Sequence, residues 1–358
     1  MEAPIPAEPT VPQPSSTGST RIDGARRPPR ARLRDVAKRA GVSIATASEA
    51  LNNRGRVAEA TRDRVREAAD ELGYHPDRLA RSLRSGRSRL LGVSLRLFAD
   101  DPDSYPADPY FALLISSAAA AAMRRGYALA LLPHDPDGVL TSQLPVEAML
   151  VADAVEGDPL LERAYAMGVP VITDNRPDDP RALLVADIDH DALVSKLYGH
   201  LAERGSRRPG LLSVTDDTLF AHGVEGAFTA WCEQRGLRPY IERADPNDVS
   251  AQEEAAIRLW DDECDAVFGL ADVSGSALLA TALATGHRVP YDLMVACCSE
   301  DLRYTQTSPP VTTMSLVPIA LAELGVEMAI DAIENGMPVE PQVRLLEPAL
   351  HMRHSTRS

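Results

Sequence analysis

The stretch Leu33-Arg-Asp-Val-Ala-Lys-Arg-Ala-Gly-Val-Ser-Ile-Ala-Thr-Ala-Ser-Glu-Ala-Leu-Asn52 decides the fold of the N-terminal part. Leu33, Val36, Ala37 and Ala40 fall on one face of a helix over 33–40. Gly41 stops that helix, because it takes a positive φ at no steric cost. Ser43 then N-caps a second helix over 44–52, with Ala47, Ala50 and Leu51 inward. Ile44, Ser48 and Asn52 are spaced by four, with Ala45 and Glu49 beside them, and form one outward stripe. A third helix over 60–72 buries Val65, Ala68, Ala69 and Leu72 and ends at Gly73. Two helices joined by a Gly-containing turn, with a polar stripe on the second, make a helix-turn-helix. For such a unit to read DNA, the second helix lies in the major groove, its stripe reaches base edges, and basic residues neutralise phosphates. Purely structural helical hairpins share the pattern, so the flanking sequence has to decide.

Working outward, residues 1–20 hold five prolines and almost no large apolar side chain, and the Pro-rich tail over 1–30 reads as disordered. Beyond Pro76, Asp77-Arg-Leu-Ala-Arg-Ser-Leu-Arg84 is a short helix capped by Asp77 and closed by Gly86. So short a helix is marginal alone and orders only when something packs on it. The chain therefore divides into a helix-turn-helix domain over 31–76, a hinge helix and linker over 77–89, and a core over 90–358. In the core, short apolar runs (90–97, 127–132, 148–151, 169–172, 211–214, 266–270, 293–297) alternate with helical stretches (110–125, 159–167, 190–204, 224–236, 250–260, 274–285). Alternation of this kind argues for α/β structure with largely parallel sheets covered on both faces. About 270 residues of it suits two subdomains better than one core.

Charge is distributed the same way. The net charge is -15, yet residues 21–90 carry 18 Lys/Arg against 9 Asp/Glu, whereas residues 91–358 carry 19 against 41. A basic block on an acidic body points to a polyanion partner at one end, or to no more than a solvated basic surface. With 44% apolar and 25% charged residues the composition is that of a globular protein. No apolar run reaches the ~18 residues of a membrane helix, and the start of the chain has neither the basic n-region nor the apolar h-region of a secretory signal. Cys232, Cys264, Cys297 and Cys298 form no C-x-x-C pair, so reduced thiols and a cytoplasmic setting are expected. His-Glu-x-x-His, G-x-S-x-G and Walker motifs are missing, so no enzyme is expected, and no cofactor or metal. Asp187-Ile-Asp-His-Asp191 lacks the Gly and distal Glu of a calcium loop, and Asp189 reads better as a helix cap. His351 and His354 fall in a terminus expected to be mobile.

The string from Asp35 to Ser43, then Thr46-Ala-Ser48, Leu51-Asn52, Val57, Thr61-Arg62, Leu72-Gly73-Tyr74 with Pro76, and Ala80-Arg-Ser-Leu-Arg84, resembles the LacI/GalR family of bacterial transcription regulators. The likeness runs ungapped over 33–91. It continues more loosely through Pro109-Tyr-Phe111, Gly168-Val-Pro-Val171, Asp189, Asp272, Thr312-Thr313 and Arg353-His-Ser-Thr356. The resemblance implies an all-α helix-turn-helix DNA-binding domain plus an α/β two-subdomain core similar to a periplasmic-binding protein. It implies a homodimeric repressor that binds a pseudo-palindromic double-stranded operator, stays off membranes, and answers to a small molecule, a carbohydrate being one class. Its alternatives are a regulator that has lost ligand response and a solute-binding protein with a vestigial DNA-binding end.

By matching position, Ser43, Ile44, Ala45, Thr46, Ser48, Glu49, Asn52, Arg56 and Thr61 contact DNA, with Ala80, Leu83 and Arg84 in the hinge helix. Leu83 would wedge into the minor groove. Glu49 stands where the family has Arg or His. Apolar Ile44 and Ala45 favour thymine-methyl contact over bidentate hydrogen bonding. Ala58 replaces a capping Ser, a loss of ~1 kcal/mol unless another residue caps helix three. For the effector the resemblance offers Tyr110, Phe111, Arg176, His222, Asp272 and Glu300. The rings could equally be core, and the acids could equally be caps. Gly223 occupies the position of a family Arg that grips the ligand, with His222 beside the gap.

Overall fold

The computed structural model describes residues 31–51, 55, 57–74, 88–96, 108–134 and 144–356. The expected tail and the hinge helix lie outside the described residues, as do Asn52, Arg56, Ala80, Leu83 and Arg84. The chain falls into two compact units, 1–84 and 85–358.

In the first unit, α1 (Leu33–Ala40), α2 (Ile44–Leu51) and α3 (Glu59–Glu71) enclose a core of Val36, Ala37, Ala47, Ala50, Val65, Ala68 and Ala69. The core is alanines beside two valines, because helices this short have to approach closely to bury anything. Gly41, at φ 67°, closes α1: its N–H and that of Val42 donate to the Lys38 and Ala37 carbonyls. An ion pair from Arg39 to Glu71 (2.6 Å) ties α1 to α3. No side chain caps α3. Its first free amides turn to the Ala58 carbonyl, and Arg62 reaches back to the Val57 and Gly55 carbonyls to hold the preceding turn.

The second unit contains two six-stranded sheets. The first runs β11-β5-β4-β3-β1-β2, from β1 (Leu90–Leu95), β2 (Ala128–Leu132), β3 (Ala148–Ala152), β4 (Val171–Thr173), β5 (Leu184–Ile188) and β11 (Gln342–Leu346), and is parallel throughout. The second runs β12-β10-β9-β8-β6-β7, from β6 (Pro209–Val214), β7 (Tyr240–Ala244), β8 (Ala266–Gly269), β9 (Met294–Cys298), β10 (Thr312–Ser315) and β12 (Ala349–His351), with only β12 antiparallel. Helices α4 (Pro109–Arg124) and α10 (Pro318–Asn335) cover one face of the first sheet, and α5 (Pro159–Ala166) the other. Helices α6 (His190–Glu203) and α7 (Leu219–Glu233) cover one face of the second sheet, and α8 (Val249–Asp261) and α9 (Ser274–Ala284) the other.

Strand residues alternate between these layers. Leu211, Phe268, Ala296 and Cys298 face α6 and α7, and Leu212, Val267, Val295 and Cys297 face α8 and α9. Both faces are therefore apolar, the condition for a buried parallel sheet. Each sheet has its first strand between its second and third, so strand order reverses between β1 and β3 and between β6 and β8. Ligands of open α/β sheets bind outside the carboxyl ends of strands at such reversals.

The chain crosses between sheets three times, after β5, β10 and β11. Asp189 N–H donates to the Leu346 carbonyl (2.9 Å), joining two of the crossings. Val317, at φ 45°, turns the crossing after β10 into α10. The C-terminus is not loose as expected. Ser355 and Thr356 are fully buried, Ser355 Oγ accepts from Thr312 N–H (2.8 Å), and Arg353 grips the Val311 carbonyl and Thr313 Oγ1.

Candidate DNA-reading face and effector cleft

Helix α2 starts as its sequence predicts: Thr46 N–H donates to Ser43 Oγ (3.0 Å), and the two hydroxyls lie 2.9 Å apart. This cap fixes the entry of the chain, so the first turn presents Ile44 (56% exposed) and Ala45 outward. Glu49 is exposed one turn on, whereas Thr46, Ser48 and, on α3, Thr61 are half-buried. Gly55 takes φ +71° and comes so close to Glu49 that a Cβ there would sit 2.6 Å from Glu49 Oε2. The glycine thus leaves room for the carboxylate against the following turn. A surface isoleucine with a capped helix end beneath it has the form of a groove-reading tip: a methyl-bearing contact, plus free amides that favour phosphate.

In the core, the carboxyl ends of the strands meet in a cleft between the sheets, which Leu219 N–H bridges to the Ala154 carbonyl (3.3 Å). Acids line it. Asp153 follows β3, at φ 57°, and Asp174 follows β4. Asp187 lies in β5, 8% exposed. The Asp153 amide donates to both oxygens of Asp174 (3.1 and 3.0 Å). Burial raises all three carboxyls above the usual range, Asp174 to about 6 and Asp187 to about 8. Tyr110, in the first turn of α4, is half-buried among them. Burial, and then the charges of Asp174, Asp153, Asp187 and Glu300, hold its hydroxyl well above the usual tyrosine range. Phe111 beside it is buried and packs edge-on to Tyr110 (centroids 4.9 Å apart), so the second ring is core.

The opposite wall is also acidic but internally satisfied. Ser299 Oγ donates to Asp272, whose carboxyl burial pushes up to about 6. Glu300 accepts from Ser315 Oγ (2.7 Å) and from the Leu316 amide (2.9 Å). Glu300 therefore holds the start of the crossing that follows β10. Arg176 is exposed, and His222 is exposed and paired with Asp217 (2.8 Å).

His222 does not replace the arginine missing at Gly223. A Cβ on Gly223 would sit 2.2 Å from His190 Nδ1, so the imidazole of His190 fills that space. His190 lies edge-on to Phe220 (centroids 5.5 Å apart), with Nε2 3.6 Å from Asp187 Oδ1, and burial lowers its pKa. Sequence reasoning missed Asp153 and Asp174, and weighed Asp187 and His190 only as part of a calcium-loop pattern. The available signal was an aspartate directly after the apolar runs Ala148–Ala152 and Val171–Thr173. Asp189 caps α6, accepting from Ala192 N–H (2.8 Å). Among the described residues no cluster of His, Cys, Asp and Glu could hold a metal ion, and no helix is long and apolar enough to cross a membrane.

A helix-turn-helix unit followed by two α/β sheets with an acidic cleft defines a DNA-binding regulator with a periplasmic-binding-protein-like core. Residues 32–77 match the family model of bacterial regulatory proteins of the lacI family, and residues 198–356 that of the periplasmic binding protein-like domain. The HTH-type transcriptional regulator CelR of Thermobifida fusca is 27% identical over 344 residues, covering 90% of this chain and 97% of that protein. The repressor CytR of Escherichia coli K12 is 27% identical over 92% of this chain and 97% of its own length. Among solved structures, a CelR–cellobiose complex superposes with a TM-score of 0.68 at 25% identity, covering 91% of this chain and all of that one. A lac repressor dimer bound to operator and an anti-inducer superposes at 0.77 with 19% identity, over 92% of this chain and 99% of that one, a likeness of fold. The chain belongs to the lacI family of bacterial regulatory proteins and is a DNA-binding transcription regulator.

Proposed function

We propose that this regulator is a cytoplasmic repressor that binds a pseudo-palindromic operator as a homodimer, under the control of a small molecule held in the cleft of its core. It performs no catalysis in this reading. The observation that carries it is the tip of α2: a capped first turn that exposes Ile44 and Ala45, with Glu49 one turn on. In this reading Ser43, Thr46 and Ser48, with Thr61 of α3, meet backbone or base edges, and Asn52 and Arg56 follow in sequence. Ala80, Leu83 and Arg84 would engage the minor groove from the hinge, where an apolar wedge unstacks a base step. Two-fold symmetry of the protein would be mirrored in the site. Ligand shifts a population between arrangements that bind the operator and arrangements that do not. Tyr110 and Asp272 line the cleft for that ligand, and the cellobiose bound by CelR makes a carbohydrate the first candidate class.

Selection of bound sequences from a random duplex pool tests this reading. Two half-sites related by a dyad are expected, with a changed half-site preference in Glu49→Arg. A footprint without two-fold symmetry, or affinity that does not fall with added salt, would overturn it. A second reading, a regulator that no longer answers a ligand, is favoured by His190 filling the place of the ligand-gripping arginine. Operator affinity that stays constant across a ligand panel would select it.

A further inference from the structure

The first-sheet wall of the cleft holds more hydrogen-bond acceptors than the protein itself satisfies, beside three crowded carboxyls. Asp153 Oδ2 is buried with no hydrogen-bond partner among the described residues, and so is Asn175 Oδ1. Asn175 is only 3% exposed and gives its side-chain N–H to Asp174 (3.2 Å), which places its free carbonyl at the same cluster. Leaving a buried acceptor unmet is costly, so such a group needs a role. Among the described residues Arg96 is the cation whose charge bears on Asp153, against those of Asp174, Asp108 and Asp216. The place of the family's arginine is taken by His190, which burial keeps neutral.

An anionic ligand is repelled by such a wall. A neutral polyol brings donors but leaves the crowded carboxyls dependent on bound protons for neutrality. A donor that is also positive meets both demands at once. We infer that the effector of this protein is a small organic cation, an amine carried on a polyol or polyamine frame, whose ammonium group is held by Asp153, Asp174 and Asn175 beside Tyr110.

The inference rests on the cleft being the effector site. It also explains why burial holds the Asp153 and Asp174 carboxyls above their usual range in the free protein. Protons stand in for the missing positive charge, and a bound ammonium would displace them.

The test uses the full chain near neutral pH, with thermal shift and calorimetry against glucosamine and spermidine as ammonium probes. Glucose and cellobiose serve as neutral probes and glucuronate as the anionic one. At least one ammonium probe is expected to raise the melting temperature and to bind roughly tenfold or more weakly in Asp174→Asn. Asn175→Ala is a second variant should Asp174→Asn melt without cooperativity. A larger shift from a neutral or anionic probe, no shift from either ammonium probe, or an ammonium shift that survives both variants would overturn the inference. The last of these is non-specific association with the acidic body.

Operator affinity measured with the same probes separates the two readings. Control by cellobiose alone leaves the effector cleft standing and removes the cation. Cation binding at the wall without change in operator affinity does the reverse.

Discussion

The two walls of the cleft come from sheets with the same strand order, yet they treat their acids in opposite ways. On the second-sheet wall, Asp272 and Glu300 are hydrogen-bonded by Ser299, Ser315 and the Leu316 amide, so their charge is put to structural use. On the first-sheet wall, Asp174 accepts from the Asp153 amide and from Asn175, and Asp187 from the Ile188 amide, but Asp153 Oδ2 and Asn175 Oδ1 are buried and unmet. Equal composition therefore does not mean equal role. An acid that has its donors steadies a crossing of the chain, whereas an acid without them stores unfavourable energy that a ligand can release. Proteins keep such locally unstable groups where function needs them.

The largest expected effect is on pH-dependent stability. Burial raises Asp187 from 3.8 to about 8, so the folded state holds a proton that the unfolded chain releases. Its favourable contribution is complete below the unfolded value and is lost as pH rises through about 8. Wild-type stability should fall across that window by several kcal/mol, at ~1.4 kcal/mol for each pH unit crossed. Asp187→Asn, neutral at every pH, should flatten the fall. Urea unfolding at a series of pH values checks it, and an unchanged slope in the variant would show that the first-sheet wall is not under charge strain.

Next in size is Gly223→Arg, which would restore the residue usual for the family at this position. The imidazole of His190 already fills the space a Cβ needs. Overpacking should cost ~3 kcal/mol, and His190→Ala in the same chain should recover most of it. Additive losses in a double-mutant cycle by chemical denaturation would mean that the two sites do not compete for space.

On the second-sheet wall, Glu300→Ala removes the acceptor of the Leu316 amide and of Ser315 Oγ. A loss of ~2 kcal/mol is expected from the unmet N–H. The sign is opposite to that of Asp187→Asn at high pH, and the two variants unfolded side by side at alkaline pH would show it. A stabilising Glu300→Ala would erase the distinction between the walls.

How much of this was legible in sequence depended on how local the physics is. The helix-turn-helix could be read because one helical period, Gly41 and Ser43 carry it within twenty residues. The alternating core could be read as far as its central strands. Strands β5, β7, β10, β11 and β12 escaped: β11 has no apolar pattern, all but its last residue being exposed, while β5, buried along its whole length, carries Asp187 within its run. Helix α10 and the buried terminus escaped because each is fixed by contacts with distant strands, as Ser355 is by Val295 and Thr312. Phe111 proved to be core, while Tyr110, its neighbour in sequence, faces the acids, a difference that helix rotation decides. The acidic wall escaped for the same reason as α10 and the terminus. Asp153, Asp174 and Asp187 are far apart in sequence and meet only through strand order.

The smallest effect gives the finest probe of what separates the walls. Ser299 Oγ donates to Asp272 and accepts from the Asp301 amide (2.8 Å), so Ser299→Ala removes one donor and one acceptor at the wall's edge. A loss of ~1 kcal/mol is expected. The more informative reading is the Asp272 carboxyl itself. Burial lifts it to about 6 while the Ser299 hydrogen bond pulls it down, so without the serine it should titrate higher. NMR titration of the carboxyl carbons in the full chain would follow this directly. If Asp272 moves upward, a single hydroxyl separates an acid at rest from an acid under strain, and the two walls differ by their donors. An unmoved Asp272 would place the difference in solvent access instead, since water would then be supplying the donor that Ser299 gave up.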